Sequence, residues 1–292
     1  MPGVMVVAAL AGTAGLVQAI AGLVGRRALL AGVSAPALVL SWGLGLALAA
    51  APWWIAGGAR LLPDPWWLAP ATGFLLLAGN ACLAWALTHG DASLVVPVLS
   101  GKVVLVAVLM AMVGSHLLPA AWVGAALTCA GIVVIGSSMR QSGQNGGQQA
   151  GRTIALALAA AACYAGFDAL FVCFGAHAGL AGMLPAATCW ALIGALPLLV
   201  VARPPTAGRL PLATSGLLTG LQCTALVAAI ILAGDAVLPN VLYGCRGIWS
   251  VALAALLART TPGLGPTPWG RRFAGAGLIA VAVGFVVVGR GP

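Results

Sequence analysis

Glutamate is missing from these 292 residues altogether, aspartate occurs four times and lysine once. Charged residues make up only 6% of the chain, against 62% hydrophobic. A water-soluble protein of this length needs far more charge to cover its surface, so the composition excludes a soluble globular fold. The lack of glutamate rules out a His-Glu-x-x-His zinc helix, and neither a Gly-x-Ser-x-Gly elbow nor a Walker phosphate loop occurs. A non-transporting membrane enzyme is therefore the weaker reading, and no cofactor or metal is implied. The net charge of +9 comes without any basic tract interleaved with aromatics, so nucleic acid is excluded as a partner. The arginines instead cluster between apolar runs, where they face lipid headgroups. Cys82, Cys129, Cys163, Cys173, Cys189, Cys223 and Cys245 all lie inside apolar runs with no Cys-x-x-Cys pair, and read as small packing residues.

What the chain has in abundance is apolar sequence in lengths that suit a bilayer. Roughly 20 such residues make a spanning helix. Breaks at Arg, Asp, His or Pro-Gly clusters leave ten stretches: approximately 3–24, 34–57, 67–88, 92–113, 118–138, 153–176, 183–202, 211–233, 235–258 and 269–289. No alternating strand pattern points to a barrel, and helices satisfy their own backbone in lipid. The expected fold is an all-α integral membrane protein with ten transmembrane helices. The start, "MPGVMVVAAL", has no basic n-region and reads as a first span rather than a cleaved signal peptide. Trp53, Trp54, Trp66, Trp67 and Trp122 on one side, and Trp269 on the other, suit aromatic belts at the membrane surfaces.

The long polar stretch "MRQSGQNGGQQAGR" falls near the middle. It divides the chain into a first five-helix unit, 1–140, a flexible linker, 141–152, and a second five-helix unit, 153–292. The two units share sequence. "GDASLVVPVLSGK" from Gly90 aligns without a gap to "GDAVLPNVLYGCR" from Gly234, which sets Lys102 on Arg246. "GRRALLAG" from Gly25 aligns to "GAHAGLAG" from Gly175, and carrying that match back sets Gln18 on Asp168. "AGIVVIG" from Ala130 matches "VGFVVVG" from Val283. Each unit has an odd number of spans, so the two cross in opposite directions as an inverted repeat, with a solute site expected between them at mid-bilayer.

The segment "ALTHGDASLVVPVLSGKVVLVAVLMAMVGSHLLPAAWVGAALTCAGIVVIG", and again "AGDAVLPNVLYGCRGIWSVALAALL", resembles the EamA-type drug/metabolite transporter superfamily. The resemblance covers essentially the whole chain through diffuse motifs. It implies a five-plus-five inverted repeat and alternating-access transport of a small solute, around a site built from spans one, three, four, six, eight and nine. One departure stands out: many members carry Gly-Glu-Arg between helices four and five, where this chain has Gly114, Ser115 and His116.

Lys102 and Arg246 both fall near the middle of a span, where a charge facing lipid costs on the order of 3 kcal/mol. A hydrated cavity or a counter-charge is the cheaper setting. Asp168 is the only deeply placed acid, so two cations meet one anion and the excess is positive. That excess favours an anionic solute, or a zwitterion held by its carboxylate, with Arg246 able to grip two oxygens and Lys102 adding a point charge. The alternative is a structural bridge from Asp168 to one of the two cations, which still leaves the other unpaired. Tyr243 and Trp249 lie at helical spacing around Arg246, and Tyr164 lies one turn before Asp168; all three are candidate liners, or else packing. Gln18 and Asn80, like Gln222 and Asn240, are amides within spans that serve either a cavity or interhelical bonding. Pro97 and Pro239 precede the two cations and bend or break their helices, or merely kink them. Asp91 and Asp235 read as helix caps.

The sequence thus points to a secondary carrier of a small anionic or carboxylate-bearing metabolite, with a passive channel as the rival. Its partners are that solute and the lipid bilayer, and pairing into a homodimer is left open. Proton coupling through Asp168 and proton-independent exchange are equally compatible with these residues. The expected location is the inner membrane of a bacterial cell, crossed many times. Arginines after odd-numbered spans place both termini outside by the positive-inside rule, whereas the family resemblance implies the cytoplasm.

Overall fold

The computed structural model describes residues 2–57, 61–62, 64–90, 92–114, 119–137, 146–202, 206–258 and 269–289. Among these there is helix and no strand. The helices are α1 (Pro2–Leu30), α2 (Ala35–Gly57), α3 (Leu68–His89), α4 (Ala92–Leu99), α5 (Lys102–Met112), α6 (Pro119–Ser137), α7 (Gly146–Ala195), α8 (Arg209–Ala233), α9 (Val237–Tyr243), α10 (Arg246–Ala258) and α11 (Trp269–Gly289). Seven segments among the described residues are long and apolar enough to cross a membrane: Gly3–Leu30, Ala35–Ile55, Leu68–His89, Leu94–Met112, Gly151–Phe174, Gly182–Val200 and Thr206–Ala233. Such a set of helices marks a multi-pass membrane protein.

The boundaries differ from the sequence expectation in four places. Helix α1 runs on through Arg26 and Arg27 to Leu30, because Arg26 reaches sideways to donate from Nη1 to the Leu87 carbonyl at 2.8 Å instead of ending the helix. Helix α7 already begins at Gly146, so much of the expected linker is helical; Gln148, Gln149 and Ala150 are good helix formers. The part of the linker at 141–145 lies outside the described residues, as do Asp91, Ser115 and His116. The third and fourth differences are internal: the expected spans at 92–113 and 235–258 are each two shorter helices, α4–α5 and α9–α10.

Helix α7, 50 residues long, joins two expected spans. It cannot be one straight rod. Thr153 packs on Gly90 and Tyr164 on Gly79, positions falling along α3 as they rise along α7. Further on, Ala187 and Trp190 meet Gly73 and Leu77 meets Gly194, positions rising on both. Phe174 still meets Trp67 in the first sense, so the chain reverses between Phe174 and Ala187, and both limbs lie along α3.

The same pairing recurs with the halves exchanged. Helix α8 takes α1 antiparallel, with Gly25 against Ser215 and Ala11 clustered with Ala229, and takes α2 parallel, with Gly45 against Gly216 and Gly220. At that last crossing a Cβ on Gly45 would overlap the Gly216 backbone, so only glycine lets the two helices come this close. Lipid supplies no hydrophobic pull between helices, so close backbone approach and buried hydrogen bonds hold them instead. The indole N–H of Trp42 donates to Ser215 Oγ at 2.8 Å, and that hydroxyl donates to the Ala21 carbonyl at 3.0 Å, tying three helices together. Helices α6 and α11 pair with each other, Gly131 lying against Gly275 and Ile279.

Candidate functional site

The two internal breaks fall one step before the two cations. Lys102 is the first residue of α5 and Arg246 the first of α10. At the first break the backbone tightens into three-residue turns. Ser100 N–H bonds to the Pro97 carbonyl, Gly101 to Val98 and Val103 to Ser100, at 2.9–3.1 Å. Proline at 97 has no N–H and loosens the turn before it. At the second break Cys245 bonds to Leu242, Gly247 to Gly244 and Ile248 to Cys245, at 2.9–3.2 Å. This tightening withdraws the ordinary four-residue partner from the Leu99 carbonyl, since Val103 N–H has gone to Ser100. Arg246 takes up that carbonyl, donating from Nη2 at 2.5 Å. A tightened turn inside a helix is a common hinge, and each break aims the positive end of a half-helix at the middle of the fold.

Both cations are buried, Lys102 at 4% exposure and Arg246 at 1%. They are held differently. Lys102 Nζ lies 2.6 Å from Asp168 Oδ2 in an ion pair between α5 and α7. The same oxygen accepts a hydrogen bond from Asn240 Nδ2 at 2.5 Å, and Asn240 also donates to the Ala236 carbonyl. Arg246 has no carboxylate partner among the described residues. Its guanidinium carbon lies 4.2 Å from the centre of the Tyr243 ring, and its Nε has no partner. Tyr243 is itself fixed, its hydroxyl donating to Gln222 Oε1 at 2.7 Å, and Tyr164 likewise donates to Asn80 Oδ1 at 2.7 Å.

These groups surround one hollow. Lys102, Arg246, Asp168, Tyr243, Gln18, Asn80 and Tyr164, all singled out from the sequence, line it. Its polar lining carries two positive charges and one negative, with the negative one already committed to Lys102. The hollow is small, with about 30 Å³ open to the centres of water-sized molecules. A solute of several heavy atoms therefore needs the helices to part.

Trp249 does not belong with them. It is 43% exposed on the outer face of α10. The inward arc of that helix is Arg246, Gly247, Ser250, Val251 and Ala254, all buried, and Trp249 falls on the other side of Arg246 from that arc. Sequence reasoning passed over Thr219 and Cys223 as site residues, although both line the hollow from α8 beside Gln222, one of the amides open to a cavity role. The signal was present, because residues three and four apart share a helix face. Asp235 behaves as expected, its carboxylate accepting the N–H groups of Val237 and Leu238 at the start of α9. Among the described residues no cluster of His, Cys, Asp or Glu could hold a metal ion.

No family model matches this chain, and no curated relative matches it. A solved crystal structure of another protein is similar in fold, with a TM-score of 0.69 over 97% of this chain and 96% of that one at 16% identity. At that identity the likeness reports a shared architecture along nearly the full length, and nothing about what is bound.

Proposed function

We propose that this protein is a secondary transporter of the EamA-type drug/metabolite kind, moving a small anionic or carboxylate-bearing metabolite by alternating access. The observation that carries the reading is Arg246. It is fully buried, has no acid partner among the described residues, and stands where two broken helices meet in a hollow. A charge in that position is costly unless something of opposite sign completes it. A carboxylate or phosphate completes it through paired N–H···O bonds, and the Tyr243 ring holds the guanidinium plane in place.

An inverted five-plus-five repeat is supported by the exchanged pairings. Helix α8 takes α1 and α2 in the same senses as α3 takes the two limbs of α7. The breaks before Lys102 and Arg246 then become equivalent hinges, and rocking of one half against the other opens the hollow to each side in turn. Ten crossings follow if α6, the α9–α10 pair and α11 also span. A channel fits this architecture less well, because channels commonly build their pores from symmetric subunits, whereas the two cations here come from aligned positions within one chain.

The test is uptake of radiolabelled pyruvate, malonate and inorganic phosphate into liposomes holding the purified protein. A carrier gives saturable uptake of at least one of them, accelerated when the same anion is trapped inside. Uptake linear in concentration and indifferent to trapped anion contradicts the proposal.

A further inference from the structure

The Asp168–Asn240 pair is only half used. Asp168 Oδ2 takes both Lys102 and Asn240, while Asp168 Oδ1 is buried without a partner. Asn240 donates twice, and its own Oδ1 is also buried without a partner. Two side chains already joined by one hydrogen bond thus each keep an idle acceptor, and buried acceptors without donors are rare and costly. A proton supplies the donor that both lack. With a proton on Asp168 Oδ1, the acid can donate to the Asn240 carbonyl while Asn240 continues to donate to Oδ2, as in a carboxylic acid–amide pair.

Resting on the carrier reading above, we infer that Asp168 is a proton carrier, with Asn240 as its positioning residue, and that each monoanion crosses together with one proton. Asp168 occupies Lys102 as a solute carboxylate would. A carboxylate that docks on the open Arg246 and reaches Lys102, both cations lying by the Tyr243 ring, leaves Asp168 without its cation in a buried site, where an isolated carboxylate is neutralised. The step balances. Solute carboxylate, the Asp168–Lys102 pair and one proton become the solute–Lys102 pair and a neutral Asp168 acid, with no bond broken beyond hydrogen bonds. The other groups facing Asp168 do not replace Lys102. Arg246 is held by the Leu99 carbonyl and the Tyr243 ring and makes no ion pair with Asp168, while Tyr164, Tyr243 and Cys223 carry no positive charge. The site then has one net positive charge both with and without its anion: Lys102 and Arg246 offset by Asp168 in one case, and by the solute in the other. Movement of the carrier in either form transfers the same charge, so the driving force is the pH gradient rather than the membrane potential.

The proton is tested without any solute by removing Lys102. In Lys102→Met at neutral pH, infrared difference spectroscopy against Lys102→Met/Asp168→Asn should show the C=O stretch of a protonated carboxyl. Adding Asn240→Leu should move that stretch to higher frequency, because the acid loses its acceptor. Lys102→Gln is read in the same way should the methionine variant not fold. An ionised Asp168 in both single variants overturns the inference and leaves the carrier reading untouched. In the liposomes, a pH-sensitive dye inside should report one proton entering per pyruvate taken up, unchanged when a potassium diffusion potential is imposed. Saturable pyruvate uptake with no acidification inside would equally overturn the inference while upholding the carrier.

Discussion

The break before Lys102 and the break before Arg246 are the same backbone device carrying different charges. Each sits between two short helices and tightens the chain into three-residue turns. Each presents a cation as the first residue of the following helix, at aligned sequence positions. The difference lies across the hollow. Lys102 meets Asp168, and the residue that aligns with Asp168 in the first half is Gln18, an amide. Gln18 lines the hollow with Arg246, and its Oε1 has no partner. Each cation thus faces a residue of the opposite half: Lys102 meets an acid and is closed, while Arg246 shares the hollow with an amide and stays open. The backbone is alike at the two breaks, and the difference between Gln18 and Asp168 leaves Arg246, unlike Lys102, without an acid among the described residues.

That comparison can be broken most severely at the open end. Arg246→Met removes the free charge and its hydrogen bonds, and anion transport should fall by roughly 100-fold, since a bond to a charged group contributes about 1.5–3 kcal/mol. Thermal unfolding in detergent should show the variant still folded, because an unpaired buried charge contributes little to stability. Gln18→Glu sharpens the comparison by giving Arg246 the acid that Lys102 already has. Transport should drop by about tenfold as an internal carboxylate competes with the solute, and uptake kinetics should show the loss in apparent affinity. Lys102→Met opens the closed end. It should lower stability by about 3 kcal/mol, and combining it with Asp168→Asn should restore most of that loss, because breaking a buried pair costs more than replacing it. Trp249→Ala, on the outer face, should alter transport less than twofold, in contrast with Tyr243→Ala, which removes the ring beneath Arg246.

Much of this was written in the sequence, in physical terms that are easy to state. Charges inside apolar runs must find a cavity or a partner, and that alone brought Lys102, Arg246 and Asp168 together before any coordinates. Among the described residues, seven of the ten apolar stretches emerge as segments able to cross a membrane. Other features were invisible for definite reasons. Hydropathy does not register a backbone that tightens without changing composition, so the breaks at Ser100 and Gly244 showed only as a proline nearby. Periodicity placed Trp249 beside Arg246, but the inward arc of α10 lies to the other side, and the arc is set by neighbouring helices. Which cation Asp168 would choose depended on the approach of α5 to α7, a tertiary fact with no local signature. The reversal within α7 was legible as a gap between apolar runs, although the chain stays helical through it.

Cys223 gives the most direct measurement, because this native thiol lines the hollow beside the free charge. With the other six cysteines replaced, an anionic and a cationic methanethiosulfonate of equal size can be offered to it from either face of a sealed vesicle. Transport around an uncompensated Arg246 predicts labelling from both faces, with the anionic reagent about tenfold faster and that advantage lost in Arg246→Met. Labelling from one face only, or equal rates for the two reagents in the unaltered site, would contradict it.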